Sequence, residues 1–396
     1  MRRIVDRDAY ASLFFSRVAY AINWYNLAAL YTFIGKDFHL NVSGLGIATV
    51  SFYVGVGLFQ VPGGILAAKY GATKVAVVGT MMSSLAVLLT AVTSQFYQLV
   101  FLRFVVGIGM ALFFGPGVTL IARTFRRESE GFGVGTFQSA FYVGALLGLF
   151  AWSVLGGAVG WRMSLGVSGG LGVVGSVLLL LYVPADVGTT DFKVTSTDLR
   201  RILSDKWLVL LSLELFGVGT GTITISTFLV YYLEQSLHFA PPLAGMISGL
   251  TPLCAILASP AMGSLYDRTR KARVLLFSLG ITLAVAVAFV ALGSGASAVV
   301  GSLLAGIGSG SFTVGYLSGR ARNAGSKEYE SLVVSWVNTI QMLTGLWAPI
   351  AFSLVALSYG YQLSWLVLAG ATLLLSCVIL LGRETSRHEQ VVGTAR

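Results

Sequence analysis

Three ionisable side chains fall inside long apolar stretches of this chain: Glu214, Arg103 and Arg17. Glu214 lies seven residues beyond Trp207, about 10 Å along a helix axis. A carboxyl group held out of water is suited to taking up and releasing a proton, and as a neutral acid it can instead hydrogen-bond a neighbouring helix. Arg103 keeps its proton, so its burial requires a carboxylate, several carbonyl oxygens or an anionic ligand. It can therefore bind an anion or tie adjacent segments together. Arg17 sits nearer the end of its stretch and is expected to snorkel, with its head directed toward the polar boundary.

Uncharged polar pairs accompany these groups. Asn23 and Asn26 are three residues apart, and Gln138 and Tyr142 are four apart, so each pair shares a helical face. Such faces suit a polar cavity, and hydrogen bonding between helices, worth only about 0.6 kcal/mol on average in a membrane, accounts for them equally well.

Other chemistries lack their residues. His39, His238 and His388 form no metal set with cysteine or acidic spacing, so no metal is expected. No Gly-x-x-x-x-Gly-Lys-Ser/Thr sequence occurs, and the strings that start at Gly131, Gly217 and Gly306 suit close helix packing better than phosphate binding. No cofactor is expected. Cys254 and Cys377 both lie in apolar stretches and define no disulfide framework.

The segments that must position these groups are themselves distinctive. The 396 residues are 56% hydrophobic and 11% charged, with a mean hydropathy of +0.82, and apolar runs long enough to cross a bilayer recur along the chain. Twelve spans are expected, at 11–34, 44–68, 73–93, 98–122, 132–155, 161–183, 207–232, 243–265, 273–292, 297–317, 332–356 and 361–381. The first run is too long for a signal peptide and has no small-residue cleavage site behind it. An all-α, multi-pass protein of the cell (plasma) membrane follows, with the lipid bilayer as its surroundings.

The net charge of +10 would suggest nucleic acid in a soluble protein, but here placement matters more than the sum. Of 26 lysines and arginines, 22 lie at the termini or in alternate loops, while the opposite loops hold only Lys36 and Arg162. Both termini are thus expected in the cytoplasm, with no nucleic-acid partner.

Slid against itself by 199 residues, the chain matches itself: Gly64-x-Leu66 falls on Gly263-x-Leu265, Gly107-Ile108-Gly109 on Gly306-Ile307-Gly308, and Arg123 on Arg322. Two parallel six-span repeats are expected, an N-terminal bundle over 1–183 and a C-terminal bundle over 207–396, joined by a cytoplasmic linker at 184–206. Within the linker, Thr197 or Ser196 could cap a short helix carrying Asp198, Arg201 and Asp205. The same offset places Ser139 and Tyr142 on Asn338 and Gln341, so polar faces recur in spans five and eleven. Arg103 falls on Ser302, so its charge is not part of the symmetric scaffold.

Three motifs resemble the major facilitator superfamily. After the second span, Gly64-Ile65-Leu66-Ala67-Ala68-Lys69-Tyr70-Gly71-Ala72-Thr73-Lys74 is similar to the hallmark Gly-x-Leu-x-Asp-Arg-x-Gly-Arg-Arg/Lys, with Ala68 where the carboxylate belongs. The second copy, Gly263-Ser264-Leu265-Tyr266-Asp267-Arg268, keeps the acid. Span four carries Arg103-x-x-x-Gly107-x-Gly109, and Gly160-Trp161-Arg162 resembles the family's entry to span six.

The resemblance implies a secondary transporter moving a small-molecule substrate by alternating access, with the two loop motifs forming a cytoplasmic gate. The carboxyl of Glu214 inside an apolar stretch points to protons as the coupling ion, and a monomer is expected. Phe59-Gln60-Val61-Pro62-Gly63-Gly64 looks like the organic-anion and proton symport branches, although Asn23-Trp24-Tyr25-Asn26-Leu27 lacks their substrate arginine. Efflux of lipophilic compounds is the alternative within transport, and Gly144-Ala145-Leu146-Leu147-Gly148 lacks the Gly-Pro pair usual there. A membrane sensor or an integral-membrane enzyme would need a soluble signalling domain or a cluster of titratable groups at one depth. Neither feature is evident in the sequence.

Overall fold

The computed structural model describes residues 6–125, 130–185, 200, 202–322 and 327–382. The elements in this set are helices: α1 (Arg7–Phe38), α2 (Val42–Tyr70), α3 (Ala72–Thr90), α4 (Phe96–Arg123), α5 (Glu130–Tyr182), α6 (Lys206–Gln235), α7 (Pro241–Thr269), α8 (Ala272–Ala291), α9 (Gly295–Gly308), α10 (Gly310–Arg322), α11 (Lys327–Met342), α12 (Thr344–Tyr359) and α13 (Tyr361–Cys377), the last followed by a 3₁₀ turn at Val378–Leu381. Of the helix expected in the linker, Ser196, Thr197, Asp198 and Arg201 lie outside the described residues, residues 200 and 202–204 are helical, and Asp205 stands beyond them as the cap of α6.

Among the described residues, ten helical stretches are long and apolar enough to cross a membrane. One of them, Gly135–Tyr182, has 48 residues, more than twice what one crossing needs, and bends at Gly160, where φ is 80° and ψ is 162°. Only glycine adopts that backbone without strain. α1, with 32 residues, is long enough as well, but its polar side chains dilute its hydropathy and it falls outside the set of ten.

The repeat is visible in the backbone as well as in the letters. α2 and α7 begin and end at matching positions under the offset of 199, as do the starts of α1 and α6. The left-handed residues also coincide: His39 (φ 53°) matches His238 (φ 57°), and Gly71 (φ 96°) matches Arg270 (φ 53°). Asp6 caps α1 by accepting from Ala9 N at 3.0 Å, and its counterpart Asp205 caps α6 by accepting from Trp207 N at 2.9 Å. Gly360 (φ 89°) repeats the bend of Gly160 one residue out of register.

By packing, residues 1–192 with 226–253 form one compact unit and residues 193–225 with 254–396 another. Within the first, small residues bring helices into contact. A Cβ on Gly107 would overlap the Phe52 carbonyl and lie 3.1 Å from Gly55 Cα, which fixes α4 against α2. Gly79 and Gly109 bring α3 and α4 together in the same way, and Gly144 seats α5 on Val18 and Ala21 of α1. In the second unit, Gly308 lies against Leu283 and Gly217 against Leu375.

Candidate functional site

The first unit holds both buried arginines. Arg103 on α4 is 4% exposed, and its Nη1 donates to the Asn23 carbonyl at 3.2 Å. Its guanidinium lies 4.7 Å from the Phe52 ring centroid, and Nε has no partner. It lines a small pocket with Trp24, Tyr25, Thr49, Phe52, Tyr53 and Ser226. The free interior is about 20 Å³, room for about one water molecule. Ser226 lies beside Tyr25, so the far part of α6 closes one side.

Arg17 does not snorkel. It is 2% exposed, with the Tyr20, Phe137, Phe141 and Phe114 rings 4.4, 4.8, 4.7 and 4.9 Å from its guanidinium carbon. These rings come from α1, α4 and α5, and their packing closes the polar route that a lone helix would leave open. Nε and Nη1 have no hydrogen-bond partner. Among the described residues neither Arg17 nor Arg103 has a carboxylate in ion-pair contact. Cation–π contacts of about 2 kcal/mol or more when desolvated offset part of the cost of burial, and at Arg17 the Tyr20 hydroxyl lies beside the guanidinium as well.

The amides of span one serve the bundle interior. Asn26 Nδ2 donates to Ser168 Oγ at 2.9 Å and to Asn23 Oδ1 at 3.2 Å, so this face of α1 turns to the second arm of α5. Trp24, Tyr25, Leu27 and Ala28, on the neighbouring face, line the pocket. Gln138 and Tyr142 are half-buried, and Tyr142 lies close enough to Arg17 and Tyr25 to interact electrostatically with both.

In the second unit Glu214 is fully buried with Ser311 beside it, and neither carboxyl oxygen completes a well-formed hydrogen bond. The hydroxyls of Ser311 and Ser376 complete none either. Ser376 Oγ and Glu214 Oε1 approach α8 at the same place, where Gly280 has no side chain to exclude them. Asn338 and Gln341 come together through a residue that the sequence did not single out: Tyr316 Oη lies 2.8 Å from Asn338 Oδ1 and 2.9 Å from Gln341 Oε1.

A second buried acid was also missed. Glu234, in the last turn of α6, is 8% exposed and lies beside Thr32 and Lys36 of α1. The expected span ended at residue 232, whereas the helix runs on to Gln235.

The loop motifs are mainly exposed. Gly64, Lys69 and Lys74 are solvent-facing, Gly71 supplies the left-handed link between α2 and α3, and Lys69 lies over the Tyr70 ring. Gly263 is buried 3.3 Å from Thr313, measured from the position of an added Cβ. Arg268 is exposed, and the Asp267 side chain lies outside those described. Gly160-Trp161-Arg162 forms a corner: Trp161 Nε1 donates to Asp37 Oδ2 at 2.8 Å, Arg162 pairs with the same oxygen, and Arg162 Nη2 reaches Thr93 O at 3.3 Å.

The family model described as Major Facilitator Superfamily matches residues 13–229 and again 211–396. The chain is 26% identical over 270 residues to the nitrite extrusion protein of Bacillus subtilis, a match covering 68% of this chain and 67% of that protein. It is 28% identical over 216 residues to the multidrug resistance protein MdtG of Serratia proteamaculans, covering 52% of each. It is 25% identical over 274 residues to the probable sulfoacetate transporter SauU of Cupriavidus necator, covering 64% and 63%. The matched stretches thus span between half and two thirds of these relatives. A bacterial homologue of the human lysosomal transporter Spinster, solved in an inward-facing and occupied conformation, superposes with a TM-score of 0.80 at 14% identity over 94% of this chain and 95% of that one, a likeness of fold.

Proposed function

The chain belongs to the major facilitator superfamily, and on that premise we propose that this multi-pass membrane transporter carries a small organic anion by alternating access, coupled to protons, as a monomer with twelve spans and cytoplasmic termini. The observation that carries the anion is Arg103: a buried guanidinium in an aromatic pocket, with one backbone carbonyl at Nη1 and no acid beside it among the described residues. An anion admitted when alternating access widens that pocket, which as it stands has room for about one water molecule, supplies the missing charge and acceptors. The nitrite and sulfoacetate named for two relatives are anions, which is consistent with this reading.

Glu214 is the proton carrier in this scheme. Among the described residues no cation pairs with its carboxyl oxygens, and a conformation that admits water lets a proton exchange there. The motifs at Gly64–Lys74 and Gly263–Arg268, with Lys69, Lys74 and Arg268 exposed, act as the cytoplasmic gate.

The test uses the full chain in proteoliposomes with an external pH dye. Nitrite, sulfoacetate and benzoate, added in turn, are expected to drive alkalinisation of the medium that disappears in Arg103→Gln and Glu214→Gln. Anion-driven flux in Glu214→Gln with the parent's pH dependence would overturn the proton role.

A second reading, proton-coupled efflux of lipophilic compounds, draws on the aromatic wall of Trp24, Phe52 and Tyr53 and on the MdtG relative. Proton release driven by a lipophilic cation, with no response to anions, would favour it.

A further inference from the structure

One anion at Arg103 leaves the second buried cation unexplained. Arg17 has charge compensation on several sides from ring faces, yet Nε and Nη1 point at no acceptor. A ring face attracts the charge of a guanidinium but does not replace a directed oxygen. Arg17 has the Tyr20 hydroxyl beside it and Arg103 has the Asn23 carbonyl, so on Arg17 it is Nε and Nη1 that lack an acceptor.

The two sites are joined by contiguous rings. Tyr20 and Phe141, both against Arg17, lie 5.7 and 5.9 Å from Trp24, and Trp24 lies 4.6 Å from Phe52, the ring beneath Arg103. Along α1, Arg17 and Asn23 are separated by six residues, or about 9 Å of rise. Phe114 and Phe141 are only half-buried, so these two rings form the least enclosed side of the cage.

We propose that the Arg17 cage is a second anion station, reached from the Arg103 pocket along this aromatic path, and that it selects anions whose acidic head is carried on an aromatic or other flat apolar body. The head takes the free N–H donors of Arg17, and the body stacks on Phe141 and Phe114. A small hydrated anion gives up its water there without the stacking, so the cage discriminates against it. The proposal rests on the anion reading of the Arg103 pocket and adds to it a site and a substrate class.

The experiment is equilibrium dialysis of the full chain in lipid nanodiscs against radiolabelled 2-naphthoate and formate, with ligand uptake by empty nanodiscs subtracted. The parent is expected to bind two naphthoates and to prefer naphthoate over formate. Arg17→Gln is expected to bind one, with the preference reduced at least tenfold, and Arg103→Gln is expected to keep the Arg17 site. Phe141→Leu, which keeps both charges and a similar bulk, should weaken naphthoate and leave formate unchanged, so the proposal stays testable if Arg17→Gln does not fold. Parent-like stoichiometry and preference in Arg17→Gln, or equal loss of both probes in Phe141→Leu, would overturn the second station. One site in the parent, lost in Arg103→Gln and untouched in Arg17→Gln, overturns the Arg17 station alone, whereas a parent that binds neither probe overturns the anion reading with it.

Discussion

Trp161 Nε1 donates to Asp37 Oδ2 at 2.8 Å, tying the end of α1 to the residue that follows the bend at Gly160. Arg162 adds its charge to the same oxygen and to the Thr93 carbonyl at the end of α3. The indole donor and the neighbouring guanidinium hold the Asp37 carboxyl below its usual range. A carboxylate favoured in the folded state stabilises above its unfolded pKa, and that contribution is lost as pH falls through the lower folded value. Both side chains of the ion pair are nearly half exposed, so the effect is about 1 kcal/mol or less. Asp37→Asn should lower the thermal midpoint slightly at pH 7, with the gap to the parent closing below about pH 4, the ordinary range of an aspartate. A gap that stays constant as the medium is acidified through that range would contradict this assignment.

Gly107→Val should be strongly disruptive, because the new Cβ meets the Phe52 carbonyl and the Gly55 backbone, neither of which can rotate away. Overpacking of this kind costs about 1–3 kcal/mol or more. Gly64→Ala, where nothing lies within 4 Å of an added Cβ, should stay within about 0.5 kcal/mol of the parent. Thermal unfolding in detergent, followed by gel filtration, compares the two. Equal midpoints would mean that the close approach of α2 and α4 is not what that glycine provides.

Tyr316→Phe removes the hydroxyl shared by Asn338 and Gln341, whose side chains are 7% and 6% exposed. The expected loss is about 1 kcal/mol, the scale of hydrogen bonds between membrane helices. Asn338→Leu made on top of Tyr316→Phe should then cost less than Asn338→Leu made in the parent, a coupling that a double-mutant cycle reads directly. Simple additivity of the two changes would show that the amide and the hydroxyl do not act together.

Asp205 performs two tasks, capping α6 through Oδ1 and pairing Oδ2 with Arg322 Nε at 2.9 Å. Asp205→Ala should cost about 1–2 kcal/mol, and Asp205→Asn, which can still cap, about half of that. Added salt should narrow the difference between parent and Asn variant while leaving the Ala variant the least stable. If the Asn and Ala variants unfold together, the cap contributes nothing measurable.

What the residues alone determined is whatever depends on composition and local period. Long apolar runs require a membrane and helices, since neither water nor an open strand edge satisfies the backbone there. The offset of 199 read between spans two and four holds in the backbone at the ends of α2 and α7, and the structure extends it to His39 and His238 and to the caps Asp6 and Asp205, because repeated letters place caps and turns at repeated positions. The positions of Glu214, Arg103 and Arg17 were legible for the same reason: a charge in an apolar run stands out.

The direction each face turns was decided only by tertiary packing. Asn23 and Asn26 fitted a cavity face and a contact between helices equally well, and packing chose the contact: Asn26 joins α1 to the second arm of α5 while Trp24 and Tyr25 line the pocket. A membrane-spanning helix is apolar on most sides, so its hydropathy sets no preferred rotation, and the choice falls to glycines such as Gly144 that let one side approach a neighbour. Arg17 was expected at the polar boundary because a lone helix leaves that route open, and rings from three helices close it. Tyr316 and Glu234 carried no signal along the chain, because each matters through residues on another helix.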